Sequence, residues 1–186
     1  MKKSAVIFDI DGLLINSEPL WNKAASEIFR QYGILLTEQQ YALTTGLRSK
    51  EFVAHWLYEH KIPSSEYDRA EQRIIDLALT MIDKDANVMP GVEHIFQFFL
   101  QKEFKIGLAT SSPVALIELV KDKLGIRHII QASCSAQQLP LAKPHPQVYL
   151  DCAAALHTSP LACICFEDSV YGMIAAKAAR MTCVVV

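Results

Sequence analysis

The stretch AVIFDIDG, residues 5–12, decides how the rest of the chain is read. Ala5 to Phe8 form a continuous apolar run, the pattern of a strand covered on both faces. Two acids follow, Asp9 and Asp11, separated by Ile10 and backed by Gly12. A turn on the surface is the commoner explanation of that pair when it stands alone. A reactive site at the carboxyl end of a central strand is the other reading. Segments further along the chain discriminate between the two.

Four more apolar segments read as strands: 105–109, 128–133, 162–166 and 182–186. Helical patterns alternate with them at 92–102, 113–125, 145–157 and 170–180. The second of these segments begins after Ser112 with Pro113 and stops at Gly125, as a capped helix does. Alternating strands and helices predict an α/β fold, a Rossmann-like, mostly parallel open sheet. Residues 16–86 break the rhythm with three helical patterns, at 18–33, 49–61 and 66–83, and no strand between them. They read as a helical insertion. The predicted organisation is a core of residues 1–15 and 87–186 carrying a helical domain, 16–86, with its junctions near Gly12 and near Pro90-Gly91. The chain stops on the apolar run TCVVV, so its C-terminal end reads as truncated and a covering helix is expected to follow.

Composition narrows the function classes. Of 186 residues 51% are hydrophobic and 20% charged, enough for a sizeable core. Eighteen basic residues nearly balance twenty acidic ones, for a formal charge of −2, and no basic block stands out. Nucleic-acid and membrane-surface partners are therefore not expected. No apolar run approaches a membrane span, and Ala5 to Phe8 is too short for a signal-peptide core. The five cysteines include no C-x-x-C pair and read as reduced residues of a cytoplasmic protein.

Polar residues follow each of the first four strands: Asp9, Asp11 and Gly12; then Thr110, Ser111 and Ser112; then Lys143 within LAKPHP; then Glu167, Asp168 and Ser169. Ligands in open α/β sheets bind beyond the carboxyl ends of the strands, so all four sets share one edge. Taken singly each has an ordinary reading. Thr110 caps a helix, Lys143 is solvated, and the Glu167–Asp168 pair favours a helix N-terminus. Together they are complementary. Several carboxylates in one place call for a hard cation such as Mg2+. A hydroxyl and a helix N-terminus can hold phosphate oxygens, and a lysine adds positive charge. A phosphate group suits that set, with a carboxylate as nucleophile.

In order and content, DIDGLL, LATSS, KP and FEDS resemble the four motifs of the haloacid dehalogenase superfamily of phosphatases, and the resemblance covers essentially the whole chain. The helical insertion resembles that family's cap domain, and NSEPLW and TTGLRSKE resemble its sugar-phosphate branch. The resemblance implies that Asp9 is the nucleophile. It makes Asp11 the group that protonates the leaving oxygen and then deprotonates water. Asp9, the Asp11 backbone carbonyl and Asp168 would hold Mg2+, with Glu167 beside them or as a further ligand. Thr110 and Ser111 would bind the phosphoryl group and Lys143 would stabilise its charge. In the cap, Gly46 would permit a close turn and Arg48 would contact phosphate or sugar oxygens. Asn16 stands where many relatives carry aspartate.

The implied substrate is a small phosphate ester, sugar or sugar-alcohol phosphate, and the implied state a monomer. A phosphatase leads. A phosphomutase of the β-phosphoglucomutase kind, a phosphoglycolate-type phosphatase and an inactive phosphate-binding module are the alternatives.

Overall fold

The computed structural model describes residues 2–186. Five parallel strands form one sheet: β1 (Ala5–Phe8), β2 (Lys105–Thr110), β3 (Ala132–Ser135), β4 (Cys163–Glu167) and β5 (Thr182–Val185). Their order is β3-β2-β1-β4-β5. β1 therefore lies in the middle, and the order reverses between β1 and β4, where doubly wound sheets bind ligands.

The central place of β1 explains its sequence. Side chains alternate across a strand, so Val6 and Phe8 enter one hydrophobic cluster while Ala5 and Ile7 enter the other. Neither face meets water, and an alternating polar pattern would leave one of them unpaired in a core. Phe8 packs on Phe96 and Phe166, with ring centroids 4.9 and 5.1 Å away. Burying such a ring contributes about 1.5–3 kcal/mol.

Four helices fill the stretch between β1 and the next sheet-covering helix. They are α1 (Glu18–Arg30), α2 (Glu38–Thr44), α3 (Ser49–Glu59) and α4 (Tyr67–Asp85). The core helices follow as α5 (Val92–Gln101), α6 (Val114–Lys123), α7 (Gln147–Ala155) and α8 (Val170–Ala178). The chain leaves for α1 and returns from α4 along adjacent paths. Ile15 bridges Val88 antiparallel, Asn16 N–H donates to Asn87 O at 2.9 Å, and Met89 N–H donates to Leu14 O at 3.0 Å. Among the described residues no helix is long and apolar enough to cross a membrane.

Two elements differ from the sequence reading. The third strand was expected at 128–133 and lies at Ala132–Ser135. Ile129 and Ile130 instead turn back, both donating to Ile126 O, and pack against the core as turn residues. Apolarity there marks burial, and the edge strand is chosen by pairing with Gly107–Thr110. Helix α2 was not anticipated, although its start carried a local signal. Thr37 and Gln40 form a reciprocal capping box, Gln40 Oε1 accepting from Thr37 N–H at 2.8 Å and Thr37 Oγ1 from Gln40 N–H at 3.3 Å.

Candidate active site

The polar residues expected at one edge do meet there. Asp9, Asp11, Thr110, Ser111, Ser112, Lys143 and Asp168 line one pocket, closed from above by residues of α1, the α2–α3 loop and α3.

Lys143 is the charge centre. It is 3% exposed, and its Nζ donates to Asp9 Oδ1 at 2.7 Å, Glu167 Oε1 at 2.6 Å and Ala109 O at 3.1 Å. It also sits 5.0 Å from the centroid of the Tyr149 ring. Burial by itself would lower its pKa, but the charges of Asp9 and Glu167 outweigh burial and hold the lysine protonated. Asp9 is raised well above the usual aspartate value by burial, with Glu167, Asp11 and Asp168 adding to the rise and Lys143 opposing it. One lysine does not balance this group of acids.

Glu167 is fully buried and both its oxygens are engaged. Oε1 accepts from Lys143 and from the Tyr149 hydroxyl, and Oε2 from Ser169 Oγ at 3.2 Å. Ser169 Oγ in turn accepts from Gly172 N–H at 3.0 Å, which caps α8. A Cβ at Gly172 would overlap the Glu167 carboxylate, so glycine is what lets α8 begin against it.

Asp168 is raised to about 6, chiefly by burial and then by the charge of Glu167. Gly12, at φ +69°, brings the backbone so close that a Cβ would overlap Asp168 Oδ2. One carboxylate oxygen each of Asp9, Glu167 and Asp168 lies within 4.8 Å of the others. Crowded, buried, partly neutralised oxygens of this kind fit a hard divalent cation. Asp9 and Asp168 have the freer oxygens, while those of Glu167 are taken by protein donors.

Asp11 is held by hydroxyls and a ring N–H. Ser17 Oγ and Trp21 Nε1 donate to its Oδ1 at 2.6 and 2.8 Å, and Ser112 Oγ donates to its Oδ2 at 2.6 Å. Two of these donors come from the start of α1 and one from beyond β2, so Asp11 lies where the helical layer meets the sheet. The Thr110 hydroxyl accepts from Ser112 N–H at 3.0 Å, and Ser111 Oγ donates to Gly46 O at 3.3 Å. Gly46, at φ +85°, packs so tightly that a Cβ would lie 3.0 Å from Ser169 Oγ. The close turn expected of it is present.

Arg48 corrects the sequence reading. It was expected to reach substrate oxygens, but it does not line the pocket. Its guanidinium is buried against a core turn, where Nη1 donates to Ala136 O at 2.9 Å and Leu139 O at 2.6 Å, and Nη2 pairs with Glu51 at 2.8 Å. Three backbone carbonyls (the third being Gln137 O) and a carboxylate solvate the charge better than a half-open pocket would.

Sequence reasoning passed over Ser17, Trp21, Glu18 and Tyr149. The first three lie in NSEPLW, which was singled out as a phrase but not residue by residue. Glu18 lines the pocket, and burial followed by the charges of Asp11 and Asp168 raises it to about 7. Tyr149, on α7, had no local signal, because its partner Glu167 lies 18 residues away at the end of β4.

The chain is similar to several known proteins. The family model described as haloacid dehalogenase-like hydrolase matches residues 6–186. The chain is 39% identical over 183 residues to hexitol phosphatase B of Escherichia coli, covering 98% of this chain and 82% of that protein. It is 26% identical to the fructose-1-phosphate phosphatase of the same organism, covering 97% and 95%. Among solved structures, β-phosphoglucomutase from Clostridium difficile superposes with a TM-score of 0.88 at 24% identity, covering 97% of this chain and 83% of that one. On the matched model and the 39% identical relative, the chain belongs to the haloacid dehalogenase-like hydrolase family.

Proposed function

We propose that this chain is a Mg2+-dependent phosphatase of sugar or sugar-alcohol monophosphates that works through an aspartyl-phosphate on Asp9. The observation that carries the reading is the buried Lys143 bound to Asp9 at the end of β1, beside the crowded Asp168. We further propose that residues 16–86 are a cap over a core of residues 1–15 and 87–186, and that the protein is a cytoplasmic monomer. The free state of all five thiols suits a reducing compartment.

In this reading a carboxylate oxygen of Asp9 attacks phosphorus and the bond to the ester oxygen breaks. Asp11 gives that oxygen its proton and the alcohol leaves. Water then attacks the aspartyl-phosphate, Asp11 takes the water proton, and phosphate is released with Asp9 regenerated. Thr110 and Ser111 orient the phosphoryl group, and Lys143 offsets the charge on its oxygens. Asp9 and Asp168, with the Asp11 backbone, would hold Mg2+, which supplies further charge neutralisation at phosphorus. Glu167 and Tyr149 hold Lys143 in place.

Charge on the pocket wall favours a phosphatase over a mutase. Among the described residues lining the pocket the one cation is Lys143, and the helical side contributes the acid Glu18. A mutase that passes through a bisphosphate, or an enzyme for phosphoglycolate, needs a positive group to face the second anion. A neutral, hydroxylated leaving group needs hydrogen bonds, which Glu18, Asn22 and Thr45 can make. With free phosphate as the readout, kcat/KM for hexitol or hexose monophosphates is expected to exceed that for phosphoglycolate and sugar bisphosphates by at least about ten-fold, one unfavourable charge contact. A preference for the dianionic substrates would reverse the assignment.

The metal proposal makes a pH prediction that does not depend on turnover. An aspartate at 3.8 in the unfolded chain and about 6 in the fold is destabilising once ionised. Stability contributed by the protonated form is lost as pH rises from about 4 through about 6, and cation binding compensates only where the carboxylate is free. Mg2+ is therefore expected to raise the melting temperature more at pH 8 than at pH 5. EDTA should abolish hydrolysis at pH 8, and Ca2+ should inhibit it. A melting temperature indifferent to Mg2+ at both pH values would remove the cation from this site.

A further inference from the structure

We propose that Arg48 is a positioning residue: it latches the helical cap onto the core turn 136–139 and, through that turn, holds Asp11 in the orientation needed to protonate the leaving group. The inference rests on the phosphatase reading above and concerns how the same site is completed.

Arg48 is the first residue after the α2–α3 turn and is 7% exposed. Its Nη1 meets the carbonyls of Ala136, Gln137 and Leu139, and its Nη2 meets Glu51 on its own helix. These carbonyls belong to the short 3-10 turn Ala136–Gln138 and the residue after it, and the chain reaches Lys143 four residues beyond Leu139. The same turn is tied to the proton-carrying group. Gln137 N–H donates to Ser135 Oγ at 3.0 Å, and Ser135 Oγ donates to Ser112 O at 2.5 Å. Ser112 Oγ then donates to Asp11 Oδ2 at 2.6 Å. Gln137 Oε1 also accepts from Val114 N–H, at the start of α6. One cap side chain is thus connected to Asp11 by hydrogen bonds that are joined through the residues Gln137 and Ser112 themselves. When the cap is away, water replaces the guanidinium at those carbonyls, and the turn loses its charged anchor. Product release needs that exchange, and closure reverses it. An arginine suits this task because its fixed fork reaches several acceptors at once, where a lysine offers one compact charge.

A residue that reads sugar hydroxyls and a residue that positions the acid differ in their substrate dependence. Arg48→Ala is to be assayed with a hexitol monophosphate, n-propyl phosphate and p-nitrophenyl phosphate. The first two leave as strongly basic alkoxides that require a proton, and p-nitrophenolate does not. The latch predicts a fall in kcat of about ten- to a hundred-fold on the hexitol and propyl esters alike. It predicts only a few-fold loss on the aryl ester, and partial recovery on all three with Arg48→Lys. Independently of turnover, amide exchange over residues 135–143 of the unliganded protein should quicken by about ten-fold in Arg48→Ala, the release of a charge-assisted contact. Loss confined to the hexitol ester, with n-propyl phosphate spared, would make Arg48 a sugar contact and overturn the proposal. Unchanged exchange over 135–143 would overturn it as well. If the wild-type protein hydrolyses none of the three esters the phosphatase reading fails, and the exchange measurement still accepts or rejects the latch.

Discussion

Asp9→Asn is expected to lower turnover on a hexitol monophosphate by about 10⁴-fold or more, because covalent catalysis loses its nucleophile. The fold should survive the change. Asn has nearly the volume of Asp, and Asp9 is a buried group whose ionised form the fold disfavours, since burial raises its pKa well above the usual value. Neutralising it also leaves Lys143 paired one-to-one with Glu167, 2.6 Å away. The melting temperature in the absence of Mg2+ should therefore equal or exceed that of the wild type. Activity lost with stability kept marks a residue that reacts. Phosphate release within about ten-fold of wild type would assign the nucleophile elsewhere, and a sharply lowered melting temperature would show that the Asp9–Lys143 pair is mainly structural.

Lys143→Met should damage both properties. Methionine approximates the length of the lysine stem but removes the one cation that, among the described residues, pairs with Asp9 and Glu167, which are 6% and 0% exposed. Breaking a buried pair leaves uncompensated charge and costs about 3–5 kcal/mol. Loss of its charge from the phosphoryl oxygens should lower kcat by about 10²–10³-fold. A second substitution separates the two effects. Lys143→Met with Glu167→Gln removes the isolated carboxylate, so most of the stability should return in urea unfolding while kcat stays low. Recovery of turnover in the double variant would mean that Lys143 serves only to neutralise Glu167.

The site was legible in the sequence wherever a residue's role follows from its place along a strand. A strand buried on both faces must be continuously apolar, so AVIF marked itself. Polar residues at its end then had to emerge at the carboxyl edge with those of the other strands. That reasoning located Asp9, Asp11, Thr110, Ser111, Lys143 and Asp168 without any knowledge of partners, and all of them line one pocket. Helical periodicity likewise separated 16–86 from the sheet-forming remainder.

Partner choice was not legible. Lys143 lies 134 residues from Asp9 and 24 from Glu167, and nothing local says that it joins them. Glu167 read as either a neighbour or a ligand of the cation; the fold engages both its oxygens with Lys143, Tyr149 and Ser169, while one of them still lies within 4.8 Å of Asp9 and Asp168 oxygens. Arg48 read as a substrate contact because it adjoins a glycine turn, whereas the fold presents three carbonyls from residues 136–139 to it. The β3 segment shifted for the same reason, its pairing with Gly107–Thr110 outweighing the apolarity of Ile129 and Ile130. The sequence by itself determined the layers, the sheet edge and the chemical inventory, since these follow from which side chains avoid water along a local segment. Only the tertiary structure decided which charge neutralises which. That choice depends on desolvation, and desolvation exists only once segments far apart in the chain have closed over the same few atoms.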